Sequence, residues 1–112
     1  MADIWTTQAE GIALSDELVG FTVEGTDGTI GKIDHVNYAG TCITVATGGL
    51  LKKTKHVIPA RAVSELDLDT ETLQVALTSD EVSGSPEYDQ HVGIDENCEA
   101  AVEKYYGGIL SR

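Results

Sequence analysis

The chain is poor in cysteine and has no long apolar run, and both shortages exclude classes of protein. Its 112 residues include only two cysteines, whereas small secreted scaffolds usually carry four or more. No apolar stretch approaches the roughly 18 residues of a membrane-spanning helix, and no secretory leader pattern stands at the N-terminus. We therefore expect a cytoplasmic protein without membrane insertion.

Basic residues are also scarce, with 7 Lys and Arg against 19 Asp and Glu and a net charge of −12. Proteins bind nucleic acids largely by setting Lys and Arg against phosphates, so we expect no nucleic-acid partner. The charge is uneven: residues 1–31 carry −6, residues 32–61 carry +4, residues 62–89 carry −8, and residues 90–112 carry −2. This polarity indicates a surface that can pair with its own copy, and we expect a homodimer.

The residues that are present predict one β-rich domain. Apolar residues make up 41% of the chain, which is enough for a single packed core. Asp27-Gly28 is a hairpin signal, and Pro59 marks the end of a strand. Six short segments at spacings of 8–12 residues predict a mainly β fold, a small six-stranded β-barrel. The segments are 18–23, 29–38, 41–47, 55–58, 62–68 and 72–78.

A helix is predicted near the C-terminus, because apolar residues recur there at helical spacing. We expect Asp95 to cap it and Gly107-Gly108 to end it after Tyr106. A helix of about 12 residues is marginal alone, so it must dock on its own barrel or on a neighbouring subunit. The apolar residues that form this candidate helix interface are Cys98, Ala101, Val102, Tyr105 and Ile109.

These patterns divide the chain into an N-terminal arm (1–16), a barrel (17–89) and a helical tail (90–112). Just before the tail, a short helical turn is expected with Ser79 as its N-cap.

No motif in the sequence commits the chain to a reaction. Gly25, Gly28 and Gly31 bracket a hairpin, whereas a phosphate loop opens a helix. The three histidines lack metal-ligand spacing, and no nucleophile motif is present. We therefore assign no catalytic, cofactor or metal residue and expect a protein that is not an enzyme. The alternative is a small-molecule- or metal-binding protein, or a weak enzyme, that uses His35, His56 or the acidic cluster at 67–71.

One basic segment has a specific implication for partners. It is either a solvated loop that balances nearby acids or a strip that meets an acidic partner surface. Aromatic residues, which would favour single-stranded nucleic acid, are missing from residues 50–61. The candidate strip consists of Lys52, Lys53, Lys55, His56 and Arg61.

Several of these stretches together make the sequence resemble PRC-barrel domain proteins of the small stand-alone bacterial type. The resemblance implies a six-stranded barrel that serves in binding or assembly and has no catalytic role. The chain departs from the family pattern at Ala60, where many members have an aromatic residue. The matching stretches are Leu18-Val19-Gly20, Asp27–Ile33, Val57–Val63, Leu73-Gln74-Val75, Ser85–Asp89 and Tyr105-Tyr106-Gly107.

Overall fold

The computed structural model describes residues 4–5, 12–37, 40–48, 53–88 and 96–110, and the side chain of Lys53 is outside the described part. It confirms a mainly β fold with six strands and a C-terminal helix. The strands are β1 (Thr22–Gly25), β2 (Gly28–Val36), β3 (Cys42–Gly48), β4 (Lys53–Pro59), β5 (Val63–Asp67) and β6 (Thr72–Val75). The helices are α1 (Ser79–Ser83) and α2 (Glu96–Leu110), with short 3-10 turns at Asp16–Leu18 and Ala60–Ala62.

All six strands belong to one sheet in the order β4-β3-β2-β1-β6-β5. Neighbouring strands run antiparallel except β1 and β6, which pair in parallel. The parallel pair consists of β1 and β6, the first and last described strands, which lie side by side in the interior of the sheet. As a result β4 and β5, although consecutive in sequence, stand at its two ends.

The two halves of the sheet differ in how they are covered. In β3 and β4 consecutive residues are buried, from Cys42 to Val45 and from His56 to Pro59. Because successive side chains of a strand point to opposite faces, both faces of this half are covered. In β5 and β6 burial alternates, with Leu73 and Val75 inside and Gln74 outside. The half that contains β1, β6 and β5 therefore presents a polar outward face.

Helix α2 docks on its own chain. Val102 and Tyr106 are buried in the core, and the Tyr105 hydroxyl donates to the Glu81 carbonyl at 2.5 Å. The Trp5 indole N–H donates to Glu103 Oε1 at 2.7 Å, which joins the first described residues to the helix. The candidate helix interface is thus used within the chain, with Cys98, Tyr105 and Ile109 half-buried against the same core. No helix in the described ranges is long and apolar enough to cross a membrane.

The structure corrects both helix boundaries that the sequence predicted. Helix α2 does not end after Tyr106 but continues through both glycines to Leu110. Neither glycine takes a positive φ, and Ile109 and Leu110 beyond them pack against the core, which holds the last turn in place. The predicted cap at Asp95 lies outside the described residues.

The N-cap of α1 is Thr78, one residue before the predicted Ser79. Thr78 Oγ1 accepts from the Glu81 amide at 3.1 Å, and Glu81 Oε1 accepts from the Thr78 amide at 2.9 Å. This reciprocal pair is a capping box, which satisfies two amides at once. Ser79 instead donates through its amide and hydroxyl to the carboxylate of Asp27, at 2.9 and 3.0 Å. These bonds tie the β1–β2 turn to α1.

Candidate interaction surface

Three side chains of the predicted basic strip are described, and none of them is fully exposed. His56 is only 2% exposed, so its place in the strip is wrong. Lys55 is half-buried and its ammonium lies 3.1 Å from Asp34 Oδ2. Arg61 is partly buried, and its buried Nε has no hydrogen-bond partner among the described residues. Lys52 and the side chain of Lys53 lie outside the described residues.

His56 lies instead in a buried chain of hydrogen bonds, the histidine cluster, made of Thr47, Thr54, His56 and Ser85. Ser85 Oγ donates to the Val82 carbonyl at 2.6 Å, and a hydroxyl has one proton to give. Ser85 must therefore accept from His56 Nδ1, 3.0 Å away. In the neutral ring Nε2 is then an acceptor, and it lies 3.1 Å from Thr54 Oγ1. Thr54 and Thr47 hydroxyls are 2.9 Å apart and complete the chain.

This arrangement makes the histidine cluster a structural feature. A histidine that activates a serine must accept the serine proton, whereas the proton of Ser85 is directed to Val82. Both ring nitrogens of His56 are engaged, which leaves neither free for a metal. His35 is exposed on β2. Across the part of the chain that the structure describes, no three His, Cys, Asp or Glu side chains come together as metal ligands.

The outward face of β1, β6 and β5 brings together acids that are distant in sequence. Register places Gln74 opposite both Glu24 on β1 and Glu65 on β5. In the next outward row Thr72 stands opposite Asp67. Glu24, Glu65 and Asp67 thus lie on one surface, which we call the acidic face. A groove with a volume of about 270 Å³ runs along it, lined by Glu24, Glu65, Asp67, Thr70, Thr72 and Gln74.

Asp67 is fixed in its charged form at the end of this face. Its Oδ1 accepts from the amides of Asp69 at 3.0 Å and Thr70 at 3.2 Å. These bonds, chiefly the one from Thr70, lower the pKa of the Asp67 carboxyl, because hydrogen bonds to a carboxylate favour its ionised form. Asp67 therefore keeps its charge at neutral pH, and Leu68 beside it is 65% exposed.

The two edge strands of the sheet, β4 and β5, differ in how their outer backbone groups are bonded. Along β4, the Tyr88 amide donates to the Lys55 carbonyl at 2.7 Å, and Glu87 forms a bridge with His56. Residues 87–88 therefore cover that edge. Along β5, the Val63 amide donates to the Ala60 carbonyl, and no other described strand pairs with the side that faces away from β6. Within the described residues, one edge of the sheet is thus covered by residues 87–88, and the acidic face lies beside the other edge.

The sequence did not reveal the acidic face as a unit. It singled out the acidic cluster at 67–71, but Glu24 and Glu65 joined no motif. They meet across Gln74 only because β1 pairs in parallel with β6, a contact about 50 residues apart in the chain. The available signal was alternation: Glu65 and Gln74 each occupy the polar positions of an alternating strand.

Comparison with known proteins finds a remote structural likeness. No family model matches the chain. No curated protein matches it. A solved structure of a putative 16S ribosomal RNA processing protein, RimM, from Pseudomonas aeruginosa is similar to it, with 23% identity and a TM-score of 0.44. The similarity covers 57% of this chain and 43% of that protein, so the chain spans less than half of its length.

Proposed function

We propose that the chain is a non-catalytic protein-interaction module of PRC-barrel type that acts in the cytoplasm. Its binding surface is the acidic face on β1, β6 and β5. The observation that carries this proposal is the charged outward side of these strands, which no described residue covers, beside an edge of β5 that no other described strand pairs. The other polar features do not compete for the role, because the histidine cluster is buried and α2 is packed on its own chain.

The charge of this face defines the kind of partner. Complementary charge steers association and selects partners, so a surface of Glu24, Glu65 and ionised Asp67 favours a basic protein. A second copy of the chain would bring another net charge of −12. The expected homodimer stays a prediction, and it would have to use a surface other than the acidic face.

A charge-reversal pair tests the proposal. The variant Glu24→Lys/Glu65→Lys changes the acidic face, and neither side chain takes part in a hydrogen bond within the described residues. The matched control Glu17→Lys/Glu96→Lys alters two exposed acids elsewhere and changes the net charge by the same amount. Each chain is immobilised, exposed to lysate of its native cell, cross-linked and analysed by mass spectrometry.

We expect the wild type and the control to capture proteins that the acidic-face variant fails to capture. Their cross-links should map to β1, β5 and β6. Capture that is equal for all three chains, or cross-links confined to β3, β4 and α2, would contradict the proposal.

A further inference from the structure

We propose that β5 takes up an extended, basic segment of the partner as a seventh strand of the sheet. This inference rests on the proposed function and names the chemistry of its partner. It follows from the unpaired edge of β5, from the charges beside that edge and from the way in which the opposite edge is closed.

The backbone of β5 provides the docking groups. In an antiparallel strand alternate residues point their N–H and C=O groups away from the paired neighbour. On β5 the paired neighbour is β6, and the side-chain bond from Ser64 Oγ to the Gln74 carbonyl also runs toward β6. The Val63 amide on the other side is already bonded to the Ala60 carbonyl, and a bulge lies between Val63 and Glu65. Beyond that bulge, no described residue bonds to the other side of residues 65–67. Such an edge is a template for an added strand.

The opposite edge shows how this fold closes a strand when it does so internally. There a short extended piece, residues 87–88, lies along β4 and bonds to Lys55 through the Tyr88 amide. The described part of the chain supplies no such piece for β5. A segment from outside can occupy the equivalent position.

The charges beside β5 indicate whether the added strand comes from a second copy of this chain or from a different protein. Two β5 strands paired edge to edge would bring Glu65 and Asp67 of one copy toward the same acids of the other, and like charges on facing strands are destabilising. The same acids attract Lys or Arg at alternate positions of a foreign strand. We therefore infer a basic extended segment, with Leu68 at the end of β5 available for an apolar residue of the partner.

A set of short peptides tests strand addition. The probe is a blocked seven-residue peptide of alternating lysine and valine, and the controls are a glutamate–valine peptide and lysine–valine peptides N-methylated on either set of alternate residues. N-methylation preserves charge but removes the backbone donors that a strand pair needs. Binding is followed by residue-resolved amide hydrogen exchange of the wild type, Glu24→Lys/Glu65→Lys and Glu17→Lys/Glu96→Lys.

Strand addition predicts that the lysine–valine peptide binds the wild type and the control variant and slows exchange of outward amides in residues 65–67. At ten times the dissociation constant the slowing is about tenfold. One N-methylated peptide should lose this protection, and the glutamate–valine peptide should not bind.

Two results would overturn the inference. If both N-methylated peptides bind as well as the parent, attraction is electrostatic only, and strand addition is wrong while an interaction through the acidic face stands. If the lysine–valine peptide fails to bind or leaves β5 exchange unchanged, strand addition is also wrong. Capture by the full-length chain then decides the proposed function independently.

Discussion

At the scale of single residues, His56 and Tyr106 are two buried polar side chains near Ser85 that differ in their hydrogen bonding. His56 is fully engaged, because each ring nitrogen has a hydroxyl partner. Tyr106 is also fully buried, yet its hydroxyl makes no well-formed hydrogen bond within the described residues. Ser85 lies near it and offsets part of the rise in the Tyr106 pKa, but Ser85 directs its proton to Val82.

Replacing His56 should therefore destabilise the fold more than replacing the exposed His35 on the same sheet. His56→Leu removes two hydrogen bonds and leaves buried hydroxyls short of a partner, which costs about 1–3 kcal/mol. His35→Leu should change the free energy of unfolding by no more than about 0.5 kcal/mol. Urea unfolding of both variants measures the difference, and equal effects would mean that the histidine cluster contributes nothing to stability.

Tyr106→Phe should be neutral or stabilising at pH 7, because it removes a buried hydroxyl without leaving a partner unpaired. Its effect should grow in alkali. Burial raises the pKa of Tyr106 to about 12 from 10, so above pH 10 the unfolded chain loses a proton that the folded chain keeps. Stability then falls as the pH rises, by about 2 kcal/mol at pH 12.

The phenylalanine variant should escape that loss. It keeps the losses due to Cys42, whose thiol pKa burial raises from 9 to about 11, and to Tyr105, whose pKa burial also raises. Urea unfolding of wild type and variant between pH 8 and pH 12 tests this. Parallel stability curves for the two proteins would contradict the assignment to Tyr106.

At the scale of elements, two glycines differ in whether the structure requires them: one lies in β2 and the other in α2. Gly31 on β2 lies so close to β3 that a Cβ would come within 2.1 Å of the Ala46 carbonyl oxygen. Gly108 lies inside α2 with open space around it. The first glycine is needed for strand pairing, and the second is only a weak helix former.

Gly108→Ala should raise the free energy of unfolding by about 0.5–1 kcal/mol, since alanine is the better helix former. Gly31→Ala should lower it by about 3 kcal/mol, because β2 and β3 must separate to admit the methyl group. Thermal unfolding of both variants provides the check. Destabilisation by Gly108→Ala would show that the helix ends near Tyr106, as the sequence alone suggested.

The same elements show what the sequence could and could not predict. Strand positions were predictable because alternation and turn residues are local signals. The hairpin signalled by Asp27-Gly28 does form, with Thr26 and Asp27 as its loop and Gly28 as the first residue of β2. The end of α2 was not, because Gly107-Gly108 is locally a stop signal and only packing of Ile109 and Leu110 overrides it. The cap at Thr78 was predictable from Thr-x-x-Glu, a signal hidden by the adjacent Ser79.

At the scale of the whole molecule, the charged side chains are distributed differently from what the charge pattern of the sequence predicts. The sequence placed a basic strip at its centre, but His56 is buried and Lys55 is paired with Asp34. The acids instead collect on one face, because the sheet order puts β1, β6 and β5 side by side. Sequence distance concealed this surface, since its acids come from strands more than 40 residues apart in the chain.

The sheet is therefore asymmetric from one end to the other. The β3–β4 half is buried on both faces and closed at its edge by residues 87–88. The β1–β6–β5 half has its core on one side, charge on the other and an edge that no further strand of the described residues pairs. We expect stability to depend on the first half and recognition on the second.

Amide chemical-shift mapping of the chain with a partner captured from its native cell tests this division most directly. The account predicts that shifts concentrate on Glu24, on β5 from Glu65 to Asp67 and on Gln74, and that they weaken as salt is added. Perturbations centred on α2 or on β3 and β4, with β5 unchanged, would contradict it.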